Sequence, residues 1–329
     1  MNSSKKETIL VTGGAGFIGS HLVDLLLENN YKVIVIDNLS SGKEKNVNKK
    51  AKNYFVDITG NEISRIIDLE KPDYACHLAA QISVSYSVRN PKEDAQNNII
   101  GLLNILESAE KNKLKGIVFA SSGGTVYGEP EKLPIYENVQ FSPSSPYGIA
   151  KMTSEYYLKF YQSYYGLNYI ALRYGNVYGP RQDPYGEAGV IAIFIQKMLN
   201  NRVPVINGDG EYIRDYVYVE DVANACLSSI KKFQKTTGAE LKKQIIIPGF
   251  NSFNIGTGQG ISVNKLFYHL KKIIGFTAEP EYGPPRSGDL RKNILNCQKS
   301  REYLDWKAEY NIEEGLKKTV EWFSNNLHD

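Results

Sequence analysis

The apolar run TILVT at 8–12 passes without a break into TGGAGFIG and then into an amphipathic stretch at 18–29. A short β-branched strand, a turn with three glycines and a helix, all within the first thirty residues, is half of a βαβ unit. A parallel strand cannot follow its neighbour through a tight hairpin, so the chain must cross over one face of a sheet and return. The pattern repeats. KVIVID (32–37), NYFVD (53–57), DYACHLA (73–79) and GIVFASS (116–122) read as buried strands. Helical periodicity falls between and after them at 61–70, 92–112 and 147–165, and further strands are expected at 168–173 and 216–219. The expected fold is α/β, a doubly wound parallel sheet of the Rossmann kind covered on both faces.

Beyond residue 174 the pattern turns irregular and rich in Gly and Pro, as in YGNVYGPRQDPYGEAG, which reads as long loops. Residues 231–249 read as a Lys-rich surface excursion, and two helices near 298–305 and 312–326 close the chain. With no repeat and no flexible linker, a second, smaller α/β unit is expected to be interwoven with the first. The division expected is 1–174 with 215–257, against 175–214 with 258–329.

Composition narrows the function. Thirty-nine basic and 36 acidic side chains nearly balance, so neither a nucleic acid nor a membrane surface is expected as a partner. Cys76, Cys226 and Cys297 are too few and too scattered for a disulfide framework or a metal site. The start, MNSSKKETILVTGG, lacks a secretory apolar segment, and the run from Val190 to Ile195 is too short to span a bilayer. A soluble cytoplasmic protein is expected.

The glycines sit in GxxGxxG spacing. Gly13 serves the tight turn, Gly16 the approach of a pyrophosphate, and Gly19 the contact of helix with strand. Phe17 and Ile18 open the helix whose N-terminal N–H groups face the anion. Asp37 ends the second strand 18 residues after Gly19. A carboxylate there accepts from both ribose hydroxyls and repels a 2′-phosphate, so NAD is expected over NADP. Asp57 is read either as an adenine contact or as a cap of its own turn. Leu78, Ala79 and Ala80 are read either as a close wall for the cofactor or as a plain strand terminus.

Tyr147 and Lys151 form YxxxK, which places phenol and ammonium on one helix face. Chance alone gives roughly two such pairs in a chain with 23 tyrosines. Three exist, the others being Tyr268/Lys272 and Tyr303/Lys307. Only Tyr147 follows a strand that ends in hydroxyls, ASSGGTVYG. The cation and a positive nicotinamide are expected to lower the phenol from its usual pKa of ~10 and make it a base. Ser122 is the first choice for an assisting hydroxyl, with Thr125 and Ser121 as alternatives.

Together, TGGAGFIG, Asp37, SSGGTVYG, YGIAK, LRYGNVYGPRQ, RDYVYVEDVA and RSGDLR resemble the extended short-chain dehydrogenase/reductases. Among them the match is to nucleotide-sugar epimerases of the UDP-glucose 4-epimerase type. The resemblance implies Tyr147 as general base, Lys151 on the nicotinamide ribose and Ser122 assisting. It also implies Asn38, Ile58, Asn97 and Tyr174 beside NAD. Asn176, Arg214 and Arg286 would hold the nucleotide diphosphate, Asp289 the uridine ribose, and Asn293 a wall of the sugar pocket. One departure is Gly123, where many members carry Ser or Thr. Members that dehydrate or decarboxylate keep acids after the strand-five hydroxyl; this chain has Gly123, Gly124 and Thr125.

The reaction expected is therefore UDP-glucose/UDP-galactose interconversion through a 4-keto sugar. Asn293, small where a Tyr would restrict the pocket, extends the expectation to N-acetylhexosamines. An epimerase restricted to UDP-N-acetylhexosamine or UDP-glucuronate stays open, as does a 4,6-dehydratase. Tyr156, Tyr157, Phe160, Tyr161 and Tyr164 crowd one helix and cannot all point inward, so a homodimer is expected.

Overall fold

The computed structural model describes residues 6–185, 189–235, 251–285 and 289–326. Arg286 and most of the Lys-rich excursion at 231–249 lie outside the described residues. The strands are β1 (Thr8–Thr12), β2 (Lys32–Ile36), β3 (Lys52–Tyr54), β4 (Tyr74–His77), β5 (Gly116–Ser122), β6 (Tyr169–Tyr174) and β7 (Asn176–Tyr178). They continue with β8 (Val205–Asn207), β9 (Ile213–Tyr218), β10 (Ser252–Ile255), β11 (Gly260–Ser262), β12 (Glu281–Gly283) and β13 (Lys292–Asn293).

Seven strands form the main sheet in the order β10-β6-β5-β4-β1-β2-β3, every pair parallel. The order reverses between β1 and β4, where crossovers on opposite faces leave a crevice at the strands' C-terminal ends. On one face, helices α1 (Phe17–Glu28) and α7 (Val219–Lys235) cover Ile9, Val11, Val118 and Leu172. On the other, α2 (Glu62–Glu70), α4 (91–111) and α5 (Pro146–Tyr165) cover Leu10, Ile34, Ile117 and Phe119. The short α3 (Val84–Arg89) precedes α4, and α4 carries a π turn at Gln96–Ile100.

A smaller unit has its own buried core around Phe194, Ile195, Phe267, Leu270 and Leu316. Helices α6 (Val190–Leu199), α8 (Val263–Ile274) and α10 (Ile312–Asn325) enclose it. Its sheet pairs β9 with β7, β11 and β13, and starts two residues after β6 ends. The lobe therefore stands over the C-terminal ends of β5 and β6.

Two segments pack differently from the expected division. β9 hydrogen-bonds in the small sheet, whereas Leu295, Cys297, Leu304 (in α9, Gln298–Leu304) and Trp306 are buried in the core of the large one. The third strand ends at Tyr54, so Asp57 sits in the loop beyond it. Among the described residues, four helices fall outside the expected helical ranges: α3, α6, α7 and α8. α6 is apolar nearly all round because it is buried nearly all round, which hides the 3.6-residue period. α7 follows β9 directly, Val219 after Tyr218, so no turn residue marks where the strand stops and the helix begins.

Candidate active site

At the C-terminal edge of the main sheet lies a cleft of about 790 Å³. Its floor is the glycine turn. Gly13 adopts φ +73°, and a Cβ there would stand 2.7 Å from the Ala79 nitrogen. At Gly19 a Cβ would come within 2.0 Å of the Gly13 carbonyl. Gly16 differs: it is the N-cap of α1, its backbone is extended, and a Cβ would meet only the Gly13 oxygen at 3.2 Å. No side chain caps that helix and no acid lies in its first turn, so its positive end faces the cleft.

Asp37 is buried at the rim, its carboxylate held by the Ala15 and Leu39 N–H groups at 2.9 and 2.8 Å. Asn38 donates to Asp57 Oδ2 at 2.7 Å, and Thr59 donates to Oδ1 through both N–H and hydroxyl. Burial raises the Asp57 carboxyl, but the bonds from Thr59 and Asn38 outweigh it and leave it lowered. Asp57 thus caps its own turn and also lines the cleft.

Tyr147 and Lys151 enter from α5, whose N-cap Ser145 accepts from the Gly148 N–H and whose first residue is Pro146. Lys151 is 4% exposed, donates to the Ala120 carbonyl at 2.9 Å, and its Nζ lies 5.6 Å from the centre of the Tyr147 ring. Burial pushes its ammonium down to about 8 against the pull of Asp94 and Glu155. The phenol behaves otherwise than expected. Burial, and after it the negative charge of Asp94, hold Tyr147 above its ordinary range. Desolvation of a phenolate in this slot outweighs the nearby lysine.

Every position named above for cofactor binding lies along this cleft: the glycine turn with Phe17 and Ile18, Asp37, Asn38, Asp57, Ile58, Leu78–Ala80, Asn97, Tyr147, Lys151 and Tyr174. Among the described residues, the positions named for the nucleotide and the sugar do not line it. They gather above it, on the small sheet and the β5 turn. Asn176 starts β7, Arg214 is in β9, and Asn293 is its register partner in β13. Arg214 is ion-paired with Asp289. Asn293 is 1% exposed and donates from Nδ2 to the Gly123 carbonyl at 3.0 Å. Ser121 is on the cleft wall, whereas Ser122 and Thr125 are not.

Sequence reasoning passed over several groups. Arg181, in the YGPRQ segment, lines the cleft beside the glycine turn; its NH2 pairs with Asp24 of α1 at 2.8 Å and its NH1 is buried without a partner. Gln182 Oε1, also on the wall, is similarly unpaired. An uncapped helix end, an unsatisfied guanidinium nitrogen and a ribose-height carboxylate fit a dinucleotide diphosphate. Glu155, one turn beyond Lys151, is fully buried and ion-paired with Arg173 at 2.6 Å. Asp94, 1% exposed, accepts from Gln81 and Asn98. The i+4 spacing from Lys151 was the available signal for Glu155; for Asp94 there was none. A second cleft, of about 890 Å³, opens near the N-terminal ends of β1 and β2, lined by Lys32, Lys52 and Glu70 among others, and holds none of the motif residues.

Residues 9–247 match the model of the NAD dependent epimerase/dehydratase family. The chain is similar to the crystal structure of UDP-glucose 4-epimerase from Thermotoga maritima with UDP-glucose. That structure is 52% identical, covers 98% of this chain and 100% of its own, and has a TM-score of 0.90. The Thermus thermophilus UDP-glucose 4-epimerase complex with NAD is 39% identical over 96% and 98% of the two chains, with TM-score 0.85. UDP-N-acetylglucosamine 4-epimerase from Methanobrevibacter ruminantium, in complex with UDP-N-acetylmuramic acid, is 36% identical over 98% and 100%, with TM-score 0.88.

Proposed function

The chain belongs to the NAD dependent epimerase/dehydratase family, and from that premise we infer that it inverts C4 of a UDP-hexose, interconverting UDP-glucose and UDP-galactose. The observation that carries this reading is the turn after β5. No acid follows the hydroxyls of β5, since Gly123, Gly124 and Thr125 stand there and a dehydratase needs an acid–base pair at that turn, while Tyr147 and Lys151 face the glycine-turn cleft. One base and a redox cofactor suffice for epimerisation; elimination of water needs a second acid.

In this reading the unit built on the seven-stranded sheet holds NAD, and the one built on β7, β9, β11 and β13 anchors the nucleotide. NAD, when bound in the glycine-turn cleft, would supply a reversible hydride acceptor and a positive ring charge. Tyr147 takes the proton from the sugar's O4 as the C4–H bond breaks, which leaves a 4-keto sugar, and returns it after the ketone has turned over. Lys151 keeps one N–H on Ala120 and offers the rest to the nicotinamide ribose. A hydroxyl beside Tyr147 steadies O4. Asn176, Arg214 and Arg286 keep the diphosphate in place while the sugar rotates, and Asp289 leaves Arg214 for the uridine ribose. Asn293 leaves room for an N-acetyl group, so UDP-GlcNAc and UDP-GalNAc are substrates as well. The exposed rings on α5, Tyr156, Tyr157, Phe160 and Tyr164, form the face on which two copies pair.

Incubation of the purified protein with UDP-galactose, UDP-GalNAc and UDP-galacturonate in turn, without added NAD, tests the reading. UDP-glucose from the first and UDP-GlcNAc from the second are expected. A 4-keto-6-deoxy product, or conversion of the uronate alone, overturns it.

A further inference from the structure

We propose that the buried Glu155–Arg173 ion pair is a positioning device for the reaction: it fixes the setting of α5, and with it the places of Tyr147 and Lys151. The inference rests on the epimerase reading and deepens it. Tyr147, Lys151 and Glu155 follow one another at i+4, so all three lie on one face of α5. The first two line the cleft, whereas Glu155 does not line it and is fully buried.

The donors to Glu155 come from three strands of the main sheet. Ser121 Oγ of β5 donates to Oε1 at 2.5 Å. Arg173 of β6 sends Nε to Oε1 at 2.9 Å and NH2 to Oε2 at 2.6 Å. Ser252 Oγ of β10 donates to Oε2 at 2.6 Å. β5, β6 and β10 are neighbours, with Ser121 in register with Arg173. Donors from three adjacent strands hold one carboxylate against sliding along the sheet, sliding across it, or turning about the helix axis. One turn earlier, Lys151 reaches the carbonyl of Ala120, the residue before Ser121. A helix turn rises only about 5.4 Å, so a shift at Glu155 passes almost undiminished to the ammonium and the phenol.

The far side of Arg173 is held as closely. Its NH1 donates to Tyr127 Oη at 2.8 Å and to the Glu137 carbonyl at 3.1 Å, and its guanidinium lies over the rings of Tyr127 and Phe141. Tyr127 Oη donates in turn to Asn254 Oδ1 at 2.7 Å, and Asn254 Nδ2 donates to the carbonyls of Ile135 and Asn296. The pair is thereby tied to the segment that follows Asn293. Both charges have left water, and an apolar pair of similar volume commonly serves stability as well or better. Apolar packing has no direction, whereas a charge-assisted hydrogen bond tolerates only a few tenths of an ångström. Geometry, and not stability, is what this pair adds.

Two variants decide the matter, Glu155→Gln and the double variant Glu155→Leu with Arg173→Met. Each is assayed in the full chain for kcat and KM on UDP-galactose, thermal unfolding and bound NAD. Glu155→Gln leaves the Arg173 charge unpaired and is expected to lower both Tm and kcat. The double variant is expected to regain most of the lost Tm and to keep NAD. Its kcat is still expected to be reduced roughly 10–100-fold, with KM within about threefold of the unaltered protein. Recovery of Tm and kcat together is what a purely structural pair gives, and it overturns the proposal. So does a loss confined to KM, or a folded Glu155→Gln with full kcat. If the double variant does not fold, Glu155→Gln decides alone: a folded, NAD-loaded protein with reduced kcat supports the proposal. Failure of both to fold assigns the pair to stability and overturns it. A wild-type protein that leaves UDP-galactose and UDP-GalNAc unchanged overturns the epimerase reading and this inference with it. An active wild type with a fully active double variant overturns the inference alone.

Discussion

Lys151 and Tyr147 show how burial overrides proximity. Five to six ångströms between an ammonium and a phenol favours phenolate when the pair is wet, but here both groups are taken out of water and each is driven toward its neutral form. For the lysine this moves the titration to about 8, within reach of assay. As pH rises through that value the ammonium loses its proton, and with it the charge that favours phenolate. The kcat/KM profile for UDP-galactose is accordingly expected to fall above about pH 8. A plateau that continues to pH ~10, where an unburied lysine titrates, contradicts the assignment. The residues themselves were legible, since i and i+4 on a helix need no tertiary knowledge. Their protonation was not, because Asp94 reaches the pair from a different helix through a fold that brings α4 beside α5.

Among the elements, the strand–turn–helix at 8–28 was the most readable and makes the sharpest demand on its residues. Its three glycines are not equivalent. Gly13 and Gly19 are closed off by backbone, whereas Gly16 is open toward the cleft. Gly19→Ala forces a Cβ into a carbonyl and is expected to destabilise by roughly 1–3 kcal/mol, as overpacking does. Gly16→Ala should cost no more than about 1 kcal/mol, the difference between the two residues as N-caps, yet weaken NAD retention markedly. Urea unfolding and the fraction of NAD that co-purifies separate these outcomes; equal loss of stability in both variants contradicts the distinction. Elsewhere α6, sunk in the small core, read as an undifferentiated apolar run. The strand end at Tyr54 was missed because the β-rich composition continues through Phe55 and Val56 after hydrogen bonding has stopped.

Over the whole molecule, two layers of chemistry sit on two lobes. The nucleotide-binding half follows from the order in which parallel strands can be wound, and it leaves its crevice where the winding reverses. The proposed substrate half lies across the gap between chain segments far apart in sequence, with Asn176, Arg214 and Asn293 on three adjacent strands. The outer surface carries the surplus of rings: Tyr156, Phe160, Tyr164 and Tyr165 of α5 are about half exposed or more, whereas Tyr161 turns inward. If two copies meet there, Phe160→Glu with Tyr164→Glu sediments as a monomer while the unaltered protein sediments as a dimer. A monomeric wild-type protein rules the interface out.

The amino-acid sequence by itself determined whatever depends on local period and on intrinsic chemistry. That includes the winding of the sheet, the glycine turn, the acid at the end of β2, and the tyrosine–lysine pair that stands out from two decoys. The tertiary structure decided whatever depends on which groups share a water-free space. It buried Glu155 with Arg173 and took Ser121 into their network. It joined Arg214 to Asp289, and it left the Thr125 hydroxyl without a partner. Spacing along a chain encodes direction within one element. Desolvation and charge pairing arise between elements, and only the packed fold brings those together.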